Sequence, residues 1–331
     1  MPEVNATAPS VPGTALGRRL DAADIRLLRV FAQIVEAGGF SAAQIALNVS
    51  QSTISAKMAE LEARLGTRLC RRGRAGFSLT DSGRRVYEAS QILFRALDEF
   101  SAHVGDVRGR LVGDLHIAAI DALASNPDCK LADAVDRFKQ RGGAVQLTLH
   151  IANPLEIERA VLDGRFHLGI GTFPRHAPGL TYRFLFEEEQ QLFCGRGHPF
   201  FKRNDRTLTI RDCEASEYVK RGYYAGSLRQ GSFRPGNETA TAFNMEATAT
   251  LILSGRFIGH LPTHYAEPWV KRGELRSLLP SRAAYRTRFE LVQRKGPPPA
   301  PAIDLFHADL LAAFSAAGPG RSAPPGRGRR A

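Results

Sequence analysis

Between Ser50 and Lys57 the chain carries Gln51, Ser52, Thr53, Ser55 and Lys57 around a single large apolar residue, Ile54. Short hydroxyl and amide side chains can both donate to and accept from base edges, and a recognition helix presents such residues from its first turns into a DNA major groove. Ser41 and Gln44, just upstream, extend the same polar set. Downstream, Arg71, Arg72 and Arg74 stand in a glycine-punctuated loop, suited to the dense negative charge of duplex phosphates. A second group, Asp121, Ser125, Asn126, Thr172, Phe173, Lys220, Arg221, Tyr223 and Met245, could bind a small molecule. The sequence contains no GxSxG elbow, P-loop, strand-coupled GxGxxG or HExxH, so no enzyme class is indicated and no cofactor or metal is expected.

The elements that must position the first group are two short helices joined by a tight turn, SAAQIALNVSQSTISAKMAELEARL from Ser41 to Leu65. Ala42, Ala43, Ile45 and Ala46 recur at helical spacing in the first, and Ile54, Met58, Leu61 and Leu65 form one apolar stripe in the second. Ser50 is the predicted N-cap of the second helix. That spacing alone also fits a helical hairpin inside a core. The flanks favour DNA binding. Asp24 to Ala37 is amphipathic through Ile25, Leu28, Phe31, Ile34 and Val35, and Gly38-Gly39 stops it, which supplies a third helix. After Gly66, Leu69-Cys70 and Phe77 to Leu79 read as two strands of a wing with the arginines at its tip. From Arg18 to Thr80 basic residues are twice as numerous as acidic ones.

The stretch FxxIVEAGGFSAAQIALNVSQSTISAKMAELEARLGTRLCRRGRAGFSLTDSG resembles the N-terminal domain of LysR-type transcriptional regulators, with "GGFSAA", "SQSTIS", "LExRLGTRL", the basic wing and "LTDSG" in family order and spacing. The resemblance implies double-stranded DNA as partner, a helix that pairs the chain with a second copy, assembly into tetramers, and RNA polymerase as a further partner. One departure stands out. Relatives often carry Arg directly after the second Ser of the SQ-x-x-[VI]-S run, whereas this chain has Ala56 followed by Lys57, so its operator half-site is expected to differ.

At 331 residues with a formal net charge of +12, the chain should form two or three domains and suits a polyanionic partner. Residues 1–19, rich in Ala, Pro and Gly, read as a disordered arm, and 316–331 as a disordered basic tail. No apolar run is long enough to span a membrane and none near Met1 resembles a signal peptide, so a cytoplasmic location is expected. The cysteines Cys70, Cys129, Cys194 and Cys213 form no CxxC pair. Cys70 reads as a buried wing residue. Because some LysR-type regulators sense oxidants through a cysteine pair, Cys194 and Cys213 carry an alternative, a redox switch in place of a ligand. His260 and His264 have metal-ligand spacing, but Pro262 between them would break a helix, so they read as structural.

The winged helix-turn-helix is expected over 20–80 and a linker helix over 81–104, its apolar stripe (Val86, Ala89, Ile92, Leu93, Ala96, Leu97, Phe100) needing a partner. Past a hinge at 105–112 the pattern changes to alternating strand and helix, hence α/β with a largely parallel sheet. LHIAAI is a strand, Asn126-Pro127 is expected to open a helix, Val145 to Ile151 and Leu168 to Gly171 are strands, and Asn153-Pro154 opens a helix with Glu156 completing a capping box. From Glu187 the pattern restarts with QQLFCG, Thr209 to Glu214, EYVKRG, Met245 to Ser254, RFIGHLP, Tyr285 to Gln293 and Pro301 to Phe314. The run Glu187 to Glu189 reads as solvated. The expected fold is therefore an all-α winged helix-turn-helix domain, a long linker helix, and an α/β effector domain at 113–315. The latter comprises two periplasmic-binding-protein-like halves, 113–186 with 289–315, and 187–288. "CGRGHPF" and "ILSGRFIGHLP" are similar to effector-domain motifs of the family.

In a clamshell the ligand lies where strand ends and helix N-termini converge. That gives Asp121 to Asn126, Thr172 and Phe173 on one side, and Lys220, Arg221, Tyr223 and Asn244 to Glu246 on the other. Relatives often carry Ser or Thr in the first turn and bind organic anions there. Asp121 departs from this: a carboxylate repels an anion unless Lys220 or Arg221 compensates, so a ligand bearing a positive or donor group is expected. The alternative is Asp121 as a loop cap or as partner of a cation across the cleft. An enzyme built on the clamshell is the remaining class.

Overall fold

A computed structural model describes residues 20–73, 76–107, 111–223, 233–296 and 299–316. The arm at 1–19, Arg74 at the wing tip and the tail after residue 316 lie outside the described residues. The chain forms two compact units, divided between Ala96 and Leu97. Among the described residues no single helix is long and apolar enough to cross a membrane.

The first unit contains α1 (Ala22–Glu36), α2 (Phe40–Leu47), α3 (Gln51–Leu65), a wing of β1 (Cys70–Gly73) and β2 (Gly76–Leu79), and the start of α4 (Asp81–Val107). Asp21 and Asp24 form a reciprocal capping box at α1, closing the helix's unpaired N–H groups. Asn48, in the left-handed region at φ 50°, makes the tight turn between α2 and α3. Ser50 caps α3 as expected, its hydroxyl accepting from Thr53 N–H. The core collects Leu28, Phe31, Ile34, Phe40, Ala43, Ile54, Met58, Leu61 and Leu69. Ile45 does not join it: it is 88% exposed, and the buried face of α2 is Phe40 with Ala43. The linker helix runs three residues past its expected end.

The second unit is built on β3 (Val112–Ala119), α5 (Leu131–Gln140), β4 (Ala144–Ile151), α6 (Pro154–Leu162), β5 (Leu168–Gly171), β6 (Leu180–Gly195), α7 (Ile210–Ala215), β7 (Glu217–Arg221), β8 (Asn237–Ala242), α8 (Met245–Leu253), β9 (Ile258–Pro262), α9 (Thr263–Lys271), β10 (Leu275–Leu278), α10 (Pro280–Ala283), β11 (Tyr285–Arg294) and α11 (Pro301–Ala316). The described strands hydrogen-bond in the order β4-β3-β5-β11-β6-β9-β7-β8, with β10 also on β6. Strands β3, β4 and β5 are parallel, as are β7, β8 and β9, while β6 and β11 run antiparallel to each other. One core gathers residues of 115–186 with Phe289 to Phe314, and two smaller cores serve the residues of 192–283. The chain thus passes twice between two α/β halves, along β6 and along β11.

Three local expectations are corrected. Asn126-Pro127 does not open a helix: a single 3-10 turn at Leu123–Ser125 precedes it and α5 starts at Leu131. Asn126 is buried, its amide donating to Glu188 and its carbonyl accepting from Asp128 N–H. The run Glu187 to Glu189 is not solvated as a block. It lies within one sixteen-residue strand, β6, and period-two alternation turns Glu188 inward, leaving it 6% exposed. At α6, Asn153 caps Glu156 N–H, but the Glu156 carboxylate meets the Asn153 side-chain amide instead of returning to its backbone.

Candidate functional site

The first turn of α3 is a compact hydroxyl cluster. Ser50 Oγ lies 2.8 Å from Ser52 Oγ and 2.9 Å from Thr53 Oγ1, so the cap also orients these side chains. Gln51, Ser52, Thr53 and Ala56 are exposed, Ser55 and Lys57 half-buried, and Ile54 and Met58 fully inside. On α2, Ser41 is exposed and Gln44 half-buried. The far end of α3 is fixed by Arg64, whose Nε donates to Asp24 at 2.6 Å and whose Nη2 donates to Asp21 at 2.7 Å. Glu62 accepts from Leu69 and Cys70 N–H and anchors the start of the wing. Phe40 meets Phe77 edge-to-face at 5.9 Å, tying α2 to β2. A helix with its N-terminal turn open and its C-terminal turn pinned presents polar side chains at defined positions.

In the second unit a cavity of about 210 Å³ opens at the carboxyl ends of parallel strands from both halves. One wall is Ile120 and Asp121 after β3, with Ile151 to Pro154 and Glu156 after β4; the other is Tyr223 after β7, with Phe243 and Asn244 after β8. This is where α/β sheets collect ligands. Asp121 bridges the walls: its carboxylate accepts from Met245 N–H at the start of α8, while Asn244 caps Ala247 N–H of the same turn. Burial pushes the Asp121 carboxyl above the ordinary carboxylate value, against the opposing pull of the Met245 N–H and of Arg221.

Beside the cavity, a buried polar network joins the halves. Glu188 accepts from Asn126 at 2.9 Å and from Gln190 at 2.5 Å, and lies 2.8 Å from His264 Nε2. His264 Nδ1 lies 3.0 Å from Ser125 Oγ. Arg221 donates to Gln190 Oε1 at 2.9 Å and approaches Met245 Sδ at 3.7 Å. Nothing in the residue pattern singles out Gln190, and His264, read as structural, sits at the centre of this network.

Other expected site residues fall elsewhere. Lys220 precedes Arg221 on β7 and therefore points to the opposite face, where it pairs with Glu238 at 3.3 Å. Of the two cations, Arg221 is the one that acts on Asp121. Phe173 is a core residue, edge-on to Tyr182 at 5.5 Å, and Thr172 is buried at the end of β5; neither lines the cavity. Cys194 and Cys213 lie in one core, fully buried, with both thiols pushed up to about 12 by burial. His260 is buried on β9, bonded to Tyr218 and to the Ala283 carbonyl. Among the described residues no group of three or more His, Cys, Asp or Glu is placed to hold a metal ion.

Comparison with known proteins agrees with this architecture. The family model "LysR substrate binding domain" matches residues 108–315, and "Bacterial regulatory helix-turn-helix protein, lysR family" matches residues 25–84. Among curated proteins, the chain is 44% identical over 283 residues to the "HTH-type transcriptional activator BauR" of Pseudomonas aeruginosa, covering 86% of this chain and 93% of that one. It is 28% identical over 231 residues to the "Probable HTH-type transcriptional regulator LrrA" of Synechococcus elongatus, covering 69% and 76%. Among solved structures, full-length CbnR complexed with its target DNA shares the fold at a TM-score of 0.62 and 20% identity, covering 87% of this chain and 99% of that one. A regulatory helix-turn-helix, an effector-type α/β unit and a near full-length relative thus coincide in one chain, which belongs to the LysR family of transcriptional regulators and is not an enzyme.

Proposed function

We propose that this chain binds a specific, dyad-symmetric DNA site as a homo-oligomer, and that a small molecule in the cavity of the second unit controls its effect on transcription. The cavity carries this reading. Its walls come from opposite halves and Asp121 bridges them through Met245 N–H, so an occupant changes how the halves meet. An effector shifts such an equilibrium only by the difference in its affinity for the two arrangements. Base contacts are assigned to Gln51, Ser52, Thr53 and Ser55, and backbone contacts to Ser41, Gln44, Lys57, Arg72 and Arg74. Exposed Ile92, Ala96, Phe100 and Val104 recur every four residues along α4, an apolar stripe that favours pairing with a second copy. The name of the Pseudomonas relative favours activation, which makes RNA polymerase a partner. Burial of Cys194 and Cys213 opposes the redox alternative.

The test is to fill the cavity. Ala152→Phe should fix the output of a promoter carrying the chain's binding site at one level across growth on different carbon and nitrogen sources, with DNA affinity by fluorescence anisotropy kept within about threefold of wild type. An Ala152→Phe protein whose promoter output follows wild type on every source would overturn the cavity as control site.

A further inference from the structure

The cavity lining carries a charge pattern that selects its occupant. Among the described residues its lining includes two acidic side chains, Asp121 and Glu156, and two aromatic ones, Tyr223 and Phe243, and no Lys or Arg. Phe243 is 64% exposed although it is a large apolar ring, and Gly222 lets it lie close: a β-carbon at 222 would stand 2.6 Å from its Cε1. Arg221, the nearby cation, is turned to Gln190 and Met245. The start of α8, where an anion would ordinarily dock, is taken up by the Asp121 carboxylate and the Asn244 cap. An anionic occupant would therefore meet two like charges and find that helix terminus closed. A cation instead gains both carboxylates beside two aromatic side chains, a residue type that attracts cations. At about 210 Å³ the cavity is below the roughly 300–1,000 Å³ of sites for drug-sized ligands, and Ile120, Ile151, Ala152 and Pro154 offer room for a short apolar stem.

Resting on the cavity as the control site, we infer that its ligand is a small molecule bearing a primary ammonium group, held between Asp121 and Glu156 and flanked by Tyr223 and Phe243. The ammonium ion-pairs with Asp121, where the low dielectric strengthens the Coulomb attraction and offsets the cost of desolvating both groups.

Four compounds on one four-carbon skeleton separate the possibilities: butylamine, 1,4-diaminobutane, 4-aminobutanoate and butanoate. The purified full chain is melted with each at 10 mM, with sodium chloride matched. At least one of the three amines should raise the midpoint by 2 °C or more while butanoate does not. The diamine and the amino acid tell whether the second group is a cation or an anion. The shift should fall below 0.5 °C in Asp121→Asn, which keeps a carbonyl oxygen for Met245 N–H, and in Glu156→Gln. Stabilisation by butanoate but by no amine, if lost in Ala152→Phe, would overturn the ammonium assignment and leave the control site standing. An amine shift undiminished in both Asp121→Asn and Glu156→Gln, or no shift with any of the four, would also overturn the assignment; the control site is then judged by the promoter output of Ala152→Phe.

Discussion

Glu188→Ala should loosen the second unit more than any surface change. The carboxylate is 6% exposed and bonds Asn126, Gln190 and His264. Truncation leaves two amide donors and an imidazole nitrogen in a space closed to bulk water. Each buried polar group left unpaired costs about 1–3 kcal/mol, and removing one member of a buried polar pair typically costs about 3–5 kcal/mol. Since a water can enter the vacated volume and satisfy part of the set, the lower end of the summed range, about 3–5 kcal/mol, is expected. For a unit of this size that is a fall of roughly 10 °C in melting temperature. The assay is urea unfolding read from Trp269, the single tryptophan of the chain, which lies on α9 with His264 and so reports the second unit separately from the first. Glu188→Gln retains an acceptor for one donor and should lose about half as much. A loss below about 1 kcal/mol in Glu188→Ala would refute the network as a structural joint between the halves.

Acid stability supplies a second prediction. His260 is held neutral, its pKa lowered to about 3 by burial. The unfolded chain takes up this proton near pH 6.5 and the folded chain does not, so stability is full above that value and lost as the pH falls toward about 3, by about 1.4 kcal/mol per pH unit. His116, His198 and His307, lowered for the same reason, act in the same direction. His260→Gln should flatten the dependence between pH 6.5 and 4.5 by up to one proton; an unchanged slope in Trp269-monitored unfolding would count against a neutral His260. Thiol chemistry supplies a third. Maleimide should label neither Cys194 nor Cys213 in the native chain before or after millimolar peroxide, and both should label in urea; loss of labelling in urea after peroxide would instead mean that they oxidise.

Much of this arrangement was legible in the sequence because short-range rules set it. The Ser50 and Asn153 caps each depend on a side chain three residues from the N–H it meets, and the stripe of Ile54, Met58 and Leu61 needs only the helical period. What was missed depends on contacts distant in the chain. Glu188 looks like its acidic neighbours until the sheet decides which way the strand faces. Lys220 and Arg221 are chemically alike, but one step along β7 sends them to opposite faces. Asn126 carries the cap-and-proline pattern, yet its amide is claimed by Glu188, sixty-two residues away, a stronger demand than a helix start. For Asp121 the sequence left two possibilities open, and the geometry accommodates both: the carboxylate caps α8 from across the cleft and still faces the cavity.

The most direct measurement is selection of genomic DNA fragments by the purified full chain at about physiological salt, where non-specific charge contacts are weakened, repeated with Gln51→Ala and Thr53→Ala. The expected result is enrichment of a dyad-symmetric site whose affinity falls by about 5- to 150-fold in either variant, the cost of a lost base contact of about 1–3 kcal/mol, with melting unchanged. Sequence-blind binding that vanishes with added salt, equal in wild type and variants, would contradict a recognition helix in α3 and leave the net charge of +12 as the source of DNA affinity.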